Sequence, residues 1–175
     1  MRVSRASLKA RWVALKRRIV REPLPPEVIA GGWALGMFIG CSVPFGLQLA
    51  ISVPLAMVTR VSKVGATLGT FITNPLTIWF IYPIQCWVGS RVLREPLDWD
   101  YLAGEVFAKL AEVSLFSAEG WRTLASLGGR VLGSFFVGGL LLAFVMTPIT
   151  YFFIKQLVRR YRARKSRRDD LARND

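Results

Sequence analysis

The 175-residue chain has no histidine and only two cysteines, Cys41 and Cys86. The first absence removes the commonest general base. With so few Cys and no His there is no ligand set for zinc. Both cysteines lie inside apolar stretches, so they read as small apolar residues and not as a disulfide pair. Acid is also scarce: 11 Asp and Glu stand against 24 Lys and Arg, a net charge of +13. No carboxylate falls within a long apolar run, which excludes a buried acid pair or proton relay there. No glycine-rich loop ends in Gly-Lys-Ser/Thr. These absences predict a protein that is not an enzyme and uses no metal or cofactor.

What is abundant is apolar surface. Hydrophobic residues make up 53% of the chain, and the mean hydropathy is +0.38. Charge is missing altogether from residues 28–59, 64–90 and 131–154. Basic flanks around uncharged runs are the pattern of a membrane protein. A nucleic-acid binder would share the charge but not the runs, so no nucleic-acid partner is expected.

The charges divide the chain into residues 1–22, a membrane domain over 23–154, and a tail over 155–175. In the first segment Leu8, Trp12, Leu15 and Ile19 share one helical face among many basic residues. That predicts a basic amphipathic helix on an anionic membrane surface. The segment has no apolar core of signal-peptide type, although its arginine-rich composition leaves a transit peptide open. Pro23, Pro25 and Pro26 end it. Within 91–130, Leu102, Val106, Leu110 and Val113 predict an interfacial amphipathic helix. The tail is expected to be basic and then unstructured.

Both ends are strongly basic, so the positive-inside rule places both in the cytoplasm. Three simple crossings would leave them on opposite sides, so one run must return to its starting side. The first run carries "FIGCSVPFGLQ" at 38–48, with Pro44 and Gly46 near its centre, and is short for two crossings. It is therefore expected to form a re-entrant helical hairpin. The second run, broken at "TFITNPLTIW" (70–79), would cross outward, and the third would return. The expected fold is an all-α integral membrane protein with broken helices, multi-pass in the bacterial cytoplasmic (inner) membrane.

Glycines recur four apart: Gly32, Gly36 and Gly40; Gly65 and Gly69; Gly129 and Gly133. Such spacing lets helices pack closely in lipid and makes self-association an expectation. A short echo, "LGMFI" at Leu35, "LGTFI" at Leu68 and "LGSFF" at Leu132, suggests internal duplication.

The polar residues beside the two breaks are the candidate site: Ser42, Pro44, Gly46 and Gln48 at one, and Thr70, Thr73, Asn74, Pro75 and Thr77 at the other. Gln48 and Asn74 are costly to bury without partners. On one reading they satisfy each other's neighbourhood, Asn74 capping a half-helix that begins at Pro75. On the other, free N–H groups of that half-helix face an anion, with Arg60 and Lys63 drawing in phosphate.

Residues Pro26, Ile29, Ala30, Gly32, Gly36, Phe38 and Gly40 carry a resemblance. So do Pro44, Gly46, Gln48, Arg60, Gly69, Thr70, Asn74, Pro75 and Thr77. Over 26–89 the chain resembles the bacterial membrane family called domain of unknown function 2062. Where that family often has Asn after the arginine, this chain has Val61 and Ser62. Some relatives look to be fused to glycosyltransferases of the polyprenyl-phosphate sugar type. The resemblance therefore implies lipid-linked sugar metabolism and a glycosyltransferase-type partner. Two functions are expected to compete. One is a small transporter or lipid carrier for an anionic or polyprenyl-phosphate headgroup. The other is a non-catalytic scaffold or anchor held by membrane lipids. A pore built from the glycine-lined broken helices stays open beside them.

Overall fold

The structure, a computed structural model, describes residues 22–74, 76–106, 122 and 128–174. Among them every regular element is helical. The helices are α1 (Pro26–Ser42), α2 (Gln48–Val58), α3 (Lys63–Thr70), α4 (Ile78–Val92) and α5 (Gly128–Asn174), with a short π-helical turn at Tyr101–Val106. The expected surface helix of residues 1–22 and most of the 102–113 stripe lie outside the described residues, as does Pro75.

The first two apolar runs are cut where their sequence predicts. Pro25 and Pro26 open α1, proline being tolerated where no helical donor is needed. Val43 leaves α1 in an extended conformation, as a residue before proline prefers. Gly46, with φ +102°, then reverses the chain. After α2 the backbone N–H of Ser62 reaches the Val28 carbonyl at 3.1 Å, beside the start of α1. Helices α1 and α2 are thus the two arms of a hairpin. Ser62 caps α3 by accepting from the Gly65 N–H at 2.8 Å.

Helix α3 runs back along α1 in parallel. A Cβ on Gly36 would overlap the Ala66 carbonyl oxygen and stand 2.8 Å from the Gly69 Cα. One on Gly69 would be 2.5 Å from the Trp33 carbonyl oxygen, and one on Gly32 would overlap that of Ser62. Gly40 lies against Thr70, and Gly65 against Ile29 and Trp33. Two of the three echo segments therefore touch, at Gly36 and Gly69. The third does not join them. Among the described residues a Cβ on Gly129 would meet open space, and one on Gly133 would meet only the Leu93 side chain at ordinary contact. The close approach on α5 is made instead by Gly138 and Gly139: a Cβ on Gly138 would overlap the Gln85 carbonyl oxygen, and one on Gly139 would stand 2.6 Å from that of Cys41. Gly89 returns the contact from α4 onto Ser134.

Helix α5 is the spine. Its first half packs antiparallel on α4, with Phe135 edge-on to Tyr82 at 4.9 Å. Its second half packs on α1 through a buried cluster of Ile29, Ala30, Ile154 and Val158. Residues 128–164 of it form a stretch long and apolar enough to cross a membrane. The expected unstructured tail is a continuation of this helix to Asn174. Its early turns are tied down, which explains the difference. Lys155 and Arg159 both reach Glu27, at 3.4 and 2.6 Å, and Arg162 donates to the carbonyls of Glu22 and Leu24. No proline or glycine interrupts the residues that follow.

Candidate functional site

The two breaks meet. A helix leaves its last carbonyls without intrahelical partners, and in α1 those carbonyls are buried. Side chains from three other elements supply the donors. Gln48, 3% exposed at the start of α2, donates through Nε2 to the carbonyls of Gly40 at 3.0 Å and Val43 at 2.8 Å. Thr73, fully buried in the second break, lies 3.0 Å from the same Gly40 carbonyl. Gln85, 1% exposed on α4, donates to the Cys41 carbonyl at 2.8 Å. The amide of Gln48 also contacts the Thr73 hydroxyl at 2.8 Å, which joins one break to the other. The turn after Pro44 is held as well: the Phe45 N–H donates to the Tyr82 hydroxyl at 2.6 Å.

This polar layer gathers Ser42, Pro44, Gly46, Gln48, Thr70 and Thr73 of the candidate residues. Thr70 is buried, and its hydroxyl bonds back to the Thr67 carbonyl at 2.7 Å, a filler role. Asn74 and Thr77 form a reciprocal cap of their own. Asn74 Oδ1 accepts from the N–H groups of Leu76 and Thr77, at 2.9 and 3.1 Å. Thr77 Oγ1 accepts from the Asn74 N–H at 2.9 Å. The N–H groups of Leu76 and Thr77, expected to be free for an anion, are thus taken by the protein itself. Arg60 is elsewhere. It is exposed at the far end of α2, beside the start of α1, and does not join the layer.

Gln85 is visible in the sequence as a polar residue of the second uncharged run but stands outside the candidate site, and Tyr82 gives no signal there. Gln85 carries the same signal as Gln48, a glutamine in an uncharged run, and that signal alone would have found it. Gln85 differs in one respect. Its Oε1 is buried and has no hydrogen-bond partner among the described residues, as is also true of Ser42 Oγ in the same layer. A buried acceptor left unpaired costs on the order of 1–3 kcal/mol. The layer is therefore saturated around Gln48 and unsaturated at Gln85.

The charged side chains stand at the two ends of the bundle. At one end are Glu22, Glu27, Arg60, Lys63, Lys155, Arg159 and Arg162. At the other, Arg130 pairs with Glu95 at 3.0 Å, and Arg91 lies over the Trp87 ring at 4.6 Å. At ~1.5 Å per residue, the polar layer, level with Gly139, stands about 14 Å from Arg130 and about 24 Å from Lys155 along α5. Among the described residues no group of His, Cys, Asp and Glu has the makings of a metal site.

A family model described as "Uncharacterized protein conserved in bacteria (DUF2062)" matches residues 10–167. The chain belongs to that family. No curated protein and no solved structure matches it.

Proposed function

We propose that this member of the family is a multi-pass protein of the bacterial inner membrane. We propose further that its polar layer binds an anionic lipid headgroup, of the polyprenyl-phosphate class, as a small transporter or lipid carrier. Several observations support the membrane reading. Large apolar side chains face outward on α4 and α5 and in the turn before α4: Leu76 is 81% exposed, Phe80 72% and Phe144 69%. Only 28% of the most apolar stretch of α5 is buried, whereas the core helix of a soluble protein is mostly buried. The charge-free length of α5, about 37 Å, exceeds the ~30 Å of a hydrocarbon core. On this reading α1 and α2 are a re-entrant hairpin, α3 and α4 cross as one broken segment, and α5 returns. Both termini are then cytoplasmic.

The observation that carries the headgroup reading is Gln85. A broken backbone inside a membrane is tolerated where it is buried in protein or lines a polar cavity. The layer needs Gln48 and Thr73 to close the end of α1, but it does not need the unpaired Gln85 Oε1. That atom is an acceptor for a hydroxyl or protonated phosphate oxygen. The second reading, a scaffold or anchor for a glycosyltransferase-type partner, is favoured by the internal satisfaction of Gln48, Thr73 and Asn74. Native mass spectrometry of the detergent-purified protein separates the two. A headgroup site predicts one polyprenyl phosphate or one phospholipid retained by the wild type and lost from Gln85→Leu. Equal, unselective lipid on both proteins refutes the headgroup site and leaves the scaffold.

A further inference from the structure

Among the described residues two non-glycine residues have positive φ, and both are arginines: Arg60 at +56° and Arg94 at +59°. They hold equivalent places. Arg60 is the residue after the C-cap of α2, with its N–H on the Met57 carbonyl at 3.3 Å and the next N–H on that of Ala56 at 3.1 Å. Arg94 is the residue after the C-cap of α4, with its N–H on the Arg91 carbonyl at 3.2 Å and the next N–H on that of Ser90 at 2.9 Å. This pair of bonds is the Schellman closure, whose left-handed residue is usually glycine because a Cβ is penalised there. An arginine at both positions is unfavourable for the backbone and needs a reason in the side chain.

The side chains have a shared circumstance. Both arginines are exposed, and neither guanidinium makes an ion pair or hydrogen bond among the described residues. They stand at opposite ends of the charge-free zone. Arg60 is level with Val28, through the Ser62–Val28 bond, and Arg94 is next to Glu95, which pairs with Arg130. The zone measures about 37 Å along α5. That is longer than a ~30 Å hydrocarbon core and shorter than the ~40–45 Å bilayer with its headgroups. Each arginine therefore falls at headgroup depth, one in each leaflet. A guanidinium offers a planar fork of donors matched to a phosphodiester.

We infer that Arg60 and Arg94 are a two-sided pair of phosphodiester anchors. Each grips the phosphate of an anionic phospholipid in its own leaflet and so fixes the depth of the bundle. The inference rests on the membrane reading but not on the headgroup site at Gln85. It is tested by thermal unfolding of the full chain in detergent, alone and with phosphatidylglycerol. Arg60→Gly and Arg94→Gly are expected to unfold about 2–4 °C higher than wild type in detergent alone, because the backbone penalty is removed. Each is expected to lose at least half of the rise that phosphatidylglycerol gives the wild type. Arg60→Asn, which tolerates the left-handed backbone without the charge, should lose the same share. The share lost by Arg60→Gly should be the same in a Gln85→Leu background, so the headgroup site and the anchors fail separately. Lower stability of the glycine variants in detergent alone, or an undiminished lipid rise, overturns the inference. An equal rise from inorganic phosphate also overturns it, since the grip would then be on a free anion. A chain that stays monodisperse with no detergent overturns the membrane premise itself.

Discussion

Replacing Gly36 by alanine adds one methyl group where α1 and α3 cross at close range. Alanine is favoured over glycine within a helix by about 1 kcal/mol. Here that gain meets two obstacles, the Ala66 carbonyl oxygen, which the new Cβ would overlap, and the Gly69 Cα at 2.8 Å. Both are backbone atoms, and neither can rotate away. α1 and α3 must move apart along a seam that also includes Gly32, Gly40, Gly65 and Gly69. Overpacking of this kind costs about 1–3 kcal/mol, and the upper end applies when no side chain can yield. The expected net loss for Gly36→Ala is about 2 kcal/mol.

Gly129→Ala is the matched comparison. It adds the same methyl group to a helix, but among the described residues nothing outside the helix's own backbone lies within 4 Å of the new atom. Only the propensity gain remains, up to about 1 kcal/mol, so the two alanine variants should differ by about 3 kcal/mol. Equilibrium unfolding in mixed micelles, read by tryptophan fluorescence, measures the difference. Trp33 lies against Gly65 in the same seam and reports on it. If Gly36→Ala is as stable as Gly129→Ala, the helices do not approach as described, and the packing argument is wrong.

Gln48→Leu should destabilise the fold by about 1–3 kcal/mol, because the Gly40 and Val43 carbonyls lose a buried donor. The same unfolding assay should show a smaller loss for Gln85→Leu, which removes one bond and one unpaired oxygen together. Asn74→Ala should cost about 1 kcal/mol as a lost cap, and Asn74→Asp should recover most of it because an acceptor oxygen remains. The Glu27 carboxyl is held below its ordinary value of 4.5, chiefly by its own backbone N–H and then by Arg159. A lowered folded-state value adds stability that is full above pH 4.5 and fades as the pH falls through the lowered value. The melting temperature of wild type should therefore exceed that of Glu27→Gln by a constant amount above pH 4.5, and the gap should close on acidification.

The breaks were legible because they rest on local chemistry. At both breaks the stop signals come in combination, proline with glycine at 44–46 and Asn-Pro at 74–75, whereas Pro54, Pro83 and Pro148 stand singly inside α2, α4 and α5. That Gly32, Gly36, Gly40, Gly65 and Gly69 line a close helix contact was legible from their spacing, but that α1 and α3 pair with each other was not. Two other features were not. Gly129 and Gly133 have the same spacing as the seam glycines, but spacing does not say which helix lies opposite, and the partner of α5 reaches it at Gly138 and Gly139. Arg60 belongs to the candidate residues as a cation that would draw phosphate in from the cytoplasmic side, a reading that does not give its distance from the breaks. The hairpin carries it to the other end of α2, about 16 Å of helix away.

Two glutamines stand in apolar sequence for a physical reason. A helix that ends in a dry interior exposes carbonyls that water cannot reach, and each one left open costs on the order of 1–3 kcal/mol. α1 ends with Gly40, Cys41 and Val43 in this position, and Gln48, Thr73 and Gln85 take up all three carbonyls. The polar residues are thus a cap assembled from distant parts of the chain, and the cap is what permits the break. Capping uses both polar ends of the Gln48 amide, since its Oε1 stands 3.1 Å from the Thr73 hydroxyl. It uses only the nitrogen of Gln85. A methionine at position 85 would leave the Cys41 carbonyl open, whereas glutamate there, when protonated, could still donate to it through one oxygen. If the layer is architecture only, Gln85→Glu and Gln85→Met should track stability and nothing else. If the free oxygen of Gln85 meets a headgroup, the glutamate variant should differ from the methionine variant in the lipid it retains even where their stabilities are alike.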